Sequence, residues 1–115
     1  AFQIKDDVAD WSTVEKDLGK PVIQDLRQGV LTLPVLLVLK FSSKKESIKN
    51  IILSRDISDQ ELSFIHQEIK VTGCLEMCLQ TAAGYIEKAL DLLVVLPDEP
   101  ARQDLDLLLS NILAF

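Results

Sequence analysis

The feature that most constrains the fold is a long segment in the second half of the chain whose apolar residues recur at helical spacing. Between positions 75 and 96 these residues are Leu75, Leu79, Ala82, Ala83, Ile86, Ala89, Leu90 and Leu93. A spacing of three or four places them along one face of an α-helix. Pro97 is expected to stop this helix, because proline lacks the amide hydrogen that a helix interior requires.

Other segments also carry helix signals. The segment SSKKESIKNIILS (42–54) has isoleucines at helical spacing and a basic opposite face, which predicts an amphipathic helix. Ser58 and Glu61 have the spacing of a capping box and predict the start of the next helix. Thr72 and Gly73 mark either a junction at the end of this helix or a close helix contact. Asp98 is predicted to cap a last helix with Pro100 in its first turn and an apolar face formed by Leu105, Leu108, Leu109 and Ile112.

The apolar run LTLPVLLVLKF (31–41) is compatible with either a buried strand or a buried helix. Pro34 argues against a central strand, whereas Thr32 as N-cap and Pro34 in the first turn suit a helix, and we predict a helix. The preceding segment 12–29 contains Gly19 and Gly29 and keeps no long apolar period. It is interpreted as a loop with short helical turns.

Composition supports an all-α fold. The 115 residues suffice for one domain, and they include only four glycines, four prolines and 5% aromatic residues. A chain rich in Leu, Ile, Val and Ala but poor in turn formers favours helices over a sandwich or barrel. The sequence therefore predicts five or six antiparallel helices and no strand.

Charge and cysteine usage limit the possible functions. The net charge of −6 argues against a nucleic-acid surface, which needs a basic stripe. No apolar run reaches the length of a membrane span, and no signal-peptide pattern is present. Cys74 and Cys78 are interpreted as small buried residues of a protein in a reducing compartment, and His66 as a surface or boundary residue. We expect a cytoplasmic location.

The first segment, AFQIKDDVADW, contains three aspartates on a predicted helix that extends from Phe2 to about Trp11. Asp6 and Asp10 project from the same face, and Asp7 lies about 100° to the side. Gln3 precedes them by one turn. The three carboxylates can be a solvated acidic face, or they can hold Mg²⁺, which takes one or two carboxylates and shares itself with a diphosphate.

Two cations in the segment GKPVIQDLRQG favour the metal–diphosphate alternative. Lys20 and Arg27 could both meet the same polyanion. The segment is not a P-loop, because that motif needs glycine where Val14 stands and serine or threonine where Pro21 stands.

These motifs together carry a family resemblance. The segments FQIKDDVAD (2–10) and LGKPVIQDLRQGVLTLPVLLVL (18–39) resemble the C-terminal third of trans-prenyltransferases, the polyprenyl diphosphate synthases. The second aspartate-rich motif of that family reads F-Q-x-x-D-D-x-x-D and is followed by G-K-x-x-x-x-D-L-x-x-G-K-x-T-L-P. The segment TGCLEMCLQTAAGYIEKALDLLVVLPDEPARQDLDLLL (72–109) is similar to the family's closing helices.

The resemblance implies the all-α isoprenoid-synthase bundle, with two aspartate-rich helices that hold a cluster of three Mg²⁺ ions on an allylic diphosphate. It implies head-to-tail condensation of that diphosphate with isopentenyl diphosphate through an allylic carbocation, and a homodimeric enzyme. Asp6, Asp7 and Asp10 would form the metal group, with Asp6 as the first choice for direct ligation. Gln3 would make a supporting polar contact, and Lys20 would contact the diphosphate. Arg27 is a possible substitute for the family lysine that is missing at position 30, and the role of Asp25 is left open.

Two departures from the family pattern limit what can be carried over. Val30 stands where the family usually has lysine, which removes a cation near the diphosphate site. The first aspartate-rich motif and the basic residues that bind isopentenyl diphosphate are absent. Residues 1–115 are therefore expected to be a single helical unit, the C-terminal fragment of a larger synthase, which is inactive alone. The alternatives are a non-catalytic helical subunit or interaction module, and an unrelated bundle with an acidic patch.

Overall fold

The computed structural model describes residues 1–17 and 19–113, and within these ranges every regular element is an α-helix. The helices are α1 (Phe2–Ser12), α2 (Val14–Asp17), α3 (Lys20–Arg27), α4 (Leu33–Phe41), α5 (Lys45–Ser54), α6 (Asp59–Thr72), α7 (Cys74–Leu93) and α8 (Pro100–Asn111). The predicted all-α class is confirmed. The predicted number of five or six was too low, because the segment interpreted as a loop with short helical turns forms the one-turn helix α2 and the two-turn helix α3.

The predicted start and end of α6 are confirmed in atomic detail. The Glu61 main-chain N–H donates to Ser58 Oγ at 3.1 Å, and the Ser58 main-chain N–H donates to Glu61 Oε1 at 3.0 Å. This capping box satisfies donors that the first turn of a helix leaves without an intrahelical partner. Gly73, with φ of 69°, takes the left-handed conformation that separates α6 from α7.

Helix α4 begins as predicted, with Thr32 at the N-cap position and Pro34 in the first turn, although the Thr32 side chain accepts no capping hydrogen bond. Two other helix starts differ from the sequence prediction. Helix α8 is capped by Glu99 rather than Asp98, with Pro100 in its first turn as predicted. Helix α5 begins at Lys45 rather than Ser42, because Ser42 is buried and donates to the Glu68 carboxylate at 2.8 Å. A tertiary hydrogen bond thus holds Ser42 outside the helix.

The core lies where α1, α4, α6 and α7 meet. Its fully buried side chains include Trp11, Leu26, Val35, Val38, Ile48, Ile65, Ile69, Cys74 and Cys78. Burial of both cysteines, each without a disulfide, confirms the prediction that they act as small core residues. The buried face of α7 is Cys74, Cys78 and Ala82, and this row of small side chains faces the contact with α1.

The C-terminal helix contributes little to this core. No residue of α8 is buried within the described chain, and Leu105 and Leu108 of its predicted apolar face are 43% and 60% exposed. Helix α7 ends at Leu93, before the predicted Leu96. Over residues 1–17 and 19–113, none of the helices combines the length and apolar character needed to cross a bilayer.

Candidate metal and diphosphate site

Helix α1 fixes the position of the aspartates because one side of it is anchored in the core. Val8 and Trp11 are 3% and 1% exposed. Asp7 and Asp10, three residues apart, project toward α3 and α4 from the side of α1 next to this anchor. Asp6 is exposed on the same helix, one turn before Asp10.

Asp7 and Asp10 line a narrow cleft between α1, α3 and the start of α4. The other lining residues are Trp11, Val22, Asp25, Leu26, Val30, Thr32 and Val35. The free volume is about 10 Å³, roughly the space of one water molecule. Carboxylates from two helices therefore line one cleft, whose floor is formed by apolar side chains.

The surroundings of Asp7 disfavour the ionised form of its carboxyl. Burial raises the pKa of the Asp7 carboxyl above its usual range, and the charges of Asp25 and Asp6 raise it further. The Gln3 side-chain amide opposes this by donating to Asp7 Oδ1 at 3.1 Å. A cation in the cleft would stabilise the ionised form of Asp7 and relieve the repulsion.

The donor set fits magnesium as a partial site. Carboxylate oxygens are the hard ligands that Mg²⁺ prefers, and one or two of them suffice when waters and phosphate oxygens complete the coordination. In the part of the chain that the structure describes, no three His, Cys, Asp or Glu side chains are arranged as a complete metal-binding group. The cleft thus offers Asp7 and Asp10 to a shared metal rather than a full protein cage.

Lys20 and Arg27 lie together on a different face of α3. With Ile23, Gln24 and Gln28 they line an open depression of about 410 Å³. Both cations are exposed. Asp25 projects from α3 into the carboxylate cleft instead. The structure therefore places the two predicted cations in one depression, and Asp7 and Asp10 in one cleft. Helix α3 contributes both cations to the depression and Asp25 to the cleft.

The buried thiol of Cys78 lies on the core side of α1, near enough to Asp7 to be affected by its charge. The pKa of the Cys78 thiol is raised to about 12 by burial, by Cys74 and by the charge of Asp7. Cys78 is therefore a neutral thiol at physiological pH, and its closeness to Asp7 adds no second charge. The two buried cysteines serve as packing residues behind the aspartate helix.

His66 was predicted to be a surface or boundary residue, and this prediction was wrong. Its side chain is only 7% exposed, and its ring stacks on Trp11 with centroids 6.0 Å apart. Burial lowers the pKa of the imidazole, as does the charge of Lys70. The apolar pattern of α6 consists mainly of its isoleucines. This pattern does not predict that the neighbouring His66 ring is covered by Trp11 of α1.

Sequence reasoning also left the role of Asp25 open, although Asp25 is the α3 residue that meets Asp7. The segment between Gly19 and Gly29 is long enough for a two-turn helix, and in the structure this helix packs against α1. Interpreting that segment as a loop with short helical turns gave no geometric reason to place Asp25 beside the aspartates.

Comparison with known proteins agrees with this geometry. Residues 1–69 match the family described as polyprenyl synthetase. The chain is 38% identical over 105 residues to heptaprenyl diphosphate synthase component 2 of Bacillus subtilis, covering 91% of this chain and 30% of that protein. It is 34% identical to decaprenyl-diphosphate synthase subunit 1 of Schizosaccharomyces pombe, covering 98% and 29%, and 31% identical to octaprenyl diphosphate synthase of Escherichia coli, covering 91% and 33%.

The chain therefore spans less than a third of the Bacillus relative that it matches over most of its own length. No solved structure matches the chain significantly. The family match covers the aspartate helix α1, the cationic helix α3 and the start of α4, which form the site described above, and it extends into α6. On this evidence the chain belongs to the polyprenyl synthetase family.

Proposed function

We propose that the intact protein is a Mg²⁺-dependent polyprenyl diphosphate synthase, to which this chain contributes the second aspartate-rich motif. The observation that carries the proposal is the convergence of Asp7, Asp10 and Asp25 on one cleft in a chain of this family. The raised pKa of Asp7 supports it: burial is the main cause, followed by the charges of Asp25 and Asp6, and a bound cation would favour the ionised carboxyl against these effects.

The aspartates on α1 are proposed as the metal group. Asp7 and Asp10 would hold the metal from within the cleft, and the exposed Asp6 from the surface of the same helix. Gln3 keeps the Asp7 side chain in place through its hydrogen bond. Bound magnesium would neutralise charge on diphosphate oxygens and so help that group to leave.

The cations on α3 are proposed to bind the diphosphate itself. Lys20 and Arg27 are exposed, share one depression and have no carboxylate among the described residues that line it. The ammonium of Lys20 and the guanidinium of Arg27 lie on a different face of α3 from Asp25. They can hold phosphate oxygens while the carboxylates hold the metal. We assign Lys20 the main contact with the allylic diphosphate and Arg27 a supporting one.

The proposed substrates are an allylic diphosphate and isopentenyl diphosphate, and the proposed product is a longer prenyl diphosphate. We propose a cytoplasmic homodimer that binds no nucleic acid. Multi-subunit assembly has support in the names of the relatives, since the Bacillus protein is called component 2 and the Schizosaccharomyces protein subunit 1.

One observation favours a second candidate, a non-catalytic subunit of a prenyltransferase complex. Val30 lines the carboxylate cleft at the position where family members usually carry lysine. A subunit that no longer binds a diphosphate could tolerate this loss of charge. The intact Asp6–Asp7–Asp10 set argues for the catalytic alternative.

The experiment is a prenyl-transfer assay of the intact gene product that contains this sequence, using labelled isopentenyl diphosphate and an allylic primer. Wild type should form chains, and Asp6→Ala, Asp7→Ala or Asp10→Ala should each reduce turnover by about 100-fold or more while the protein stays folded. Asp91→Ala, on the exposed part of α7, is the matched control and should retain full turnover. Near-normal turnover of the three variants at saturating Mg²⁺ would refute the metal assignment.

A further inference from the structure

Trp11 connects the carboxylate cleft with the opposite side of α1. Its side chain lines the cleft together with Asp7 and Asp10, yet it is only 1% exposed. The indole also stacks on the His66 ring, with an interplanar angle of 26° and centroids 6.0 Å apart. A single aromatic side chain thus forms part of the cleft wall and of the contact with α6.

His66 holds Trp11 by ring stacking, which fixes the indole against α6. Trp11 is almost fully buried and belongs to the last turn of α1. A contact that fixes the indole therefore also limits how far this turn can move.

The surroundings of His66 keep it in place. Lys70, one turn later on α6, forms an ion pair with Glu15 of α2 at 3.3 Å, and both charges act on the imidazole. Asp59 and Gln67 line the same open cavity of about 280 Å³ beside the ring. The Lys70–Glu15 ion pair therefore connects α6 with α2, the helix that directly follows α1.

The location of Trp11 in α1 makes this contact relevant to the carboxylates. Asp10 is the preceding residue, and Asp7 lies one turn earlier on the same face of the helix. A shift of the Trp11 backbone would move both aspartates relative to Asp25 on α3. Metal affinity depends on such outer contacts, since they hold the ligands in the geometry that the ion needs.

We propose that His66 is a positioning residue for the metal site: by stacking on Trp11, it sets Asp7 and Asp10 in register with Asp25. The inference rests on the proposed function of these aspartates. His66 touches neither the metal nor a substrate and acts through Trp11 alone. Its removal should weaken magnesium binding while leaving the binding of isopentenyl diphosphate unaffected.

The test compares three variants. His66→Ala removes the stacking contact, and His66→Phe restores an aromatic ring at this position. Ser42→Ala is the control, because it breaks a buried hydrogen bond to Glu68 elsewhere on α6 and should destabilise the fold without touching α1. The first readout is amide hydrogen exchange of metal-free protein, comparing α1 with the core amides of Ile65 and Ile69. The second is the Mg²⁺ concentration for half-saturation by calorimetry with inorganic pyrophosphate.

We expect His66→Ala to speed exchange of the α1 amides selectively and to raise the half-saturating Mg²⁺ concentration about tenfold. His66→Phe should recover most of the loss, to within about threefold of wild type. Ser42→Ala should speed exchange in α6 and leave magnesium binding unchanged. The KM for isopentenyl diphosphate in the intact enzyme should be the same in all four proteins.

Different failures have different meanings. If wild type binds Mg²⁺ and pyrophosphate but His66→Ala binds them equally well, the positioning role is refuted and the proposed function stands. If His66→Ala and Ser42→Ala weaken magnesium binding to the same extent, His66 is only a stability residue and the inference is again refuted. If wild type binds no Mg²⁺ with pyrophosphate, the proposed function fails and the inference fails with it.

Discussion

Asp25 on α3 faces the same narrow cleft as Asp7 on α1, and its charge raises the pKa of the Asp7 carboxyl. Two carboxylates from separate helices are thus held close together in the folded chain. Repulsion of this kind costs stability unless something positive is bound between the groups. The closeness of Asp7 and Asp25 would therefore favour a cation in this cleft.

Asp25→Asn should lower the pKa of Asp7 toward its ordinary value, because it removes one of the charges that raise it while leaving burial unchanged. The same change should weaken Mg²⁺ binding, since one negative charge of the cleft is lost. Carboxyl-resolved NMR titration measures the first effect, and calorimetry the second. Asp91→Asn, far along α7, is the control. An unchanged Asp7 titration in Asp25→Asn would show that the two groups do not interact.

Asp7 should destabilise the folded chain at neutral pH. Its pKa is higher in the folded than in the unfolded state, so the folded state binds the proton more tightly and stability falls as the pH rises from about 3.8 through the folded pKa. Asp7→Asn should therefore modestly raise the free energy of unfolding at neutral pH. The Gln3 amide can still donate to the side-chain carbonyl oxygen of the introduced asparagine.

Urea unfolding at several pH values tests this sign. The gain from Asp7→Asn should shrink as the pH is lowered toward 3.8, where wild-type Asp7 becomes protonated as well. A variant that loses stability at neutral pH would mean that the Asp7 carboxylate makes a net favourable interaction in the folded chain.

Val30→Lys should place a cation at the edge of the carboxylate cleft, because Val30 lines the cleft and is 45% exposed. We expect the pKa of Asp7 to fall and Mg²⁺–pyrophosphate to bind about threefold more tightly, which is a modest gain because the site is partly exposed. Val30→Met, of similar length and without charge, is the control in the same calorimetric titration. Equal affinities of the two variants would rule out a charge effect at this position.

Gly19 and Gly84 should respond in opposite ways to alanine. Gly19 has φ of 67°, and a Cβ there would collide with Leu62 Cδ2, so Gly19→Ala should lose about 2 kcal/mol or more. Gly84 lies within α7, and a Cβ there would meet no atom within 4 Å, so Gly84→Ala should gain about 0.5–1 kcal/mol. Chemical unfolding of both variants measures the difference. Equal effects would exclude a special requirement for glycine at the start of α3.

Local signals in the sequence predicted much of the fold. The Ser58–Glu61 capping box, the junction at Gly73 and the helix at Pro34 all depend on residues within one or two turns of each other. The all-α class was predicted from composition, which also requires no knowledge of tertiary contacts. The family resemblance, carried by the aspartate motif and the G-K segment, was confirmed by the comparison with known proteins.

Contacts between distant segments were not predictable in this way. Ser42 stays outside α5 because Glu68, 26 residues later, accepts its hydrogen bond. His66 is buried because Trp11, on another helix, covers it. Asp25 meets Asp7 because α3 folds back against α1. Each of these outcomes depends on tertiary packing that outweighs the local preference of the residue concerned.

The most direct test of the central claim is an NMR titration of the side-chain carboxyl groups with Mg²⁺ and inorganic pyrophosphate. If the cleft between α1 and α3 is a metal–diphosphate site, the Asp7 and Asp10 carboxyl resonances should shift together and saturate, while that of Asp91 should not move. Saturation of other carboxylates with Asp7 and Asp10 unchanged would contradict the assignment of this cleft.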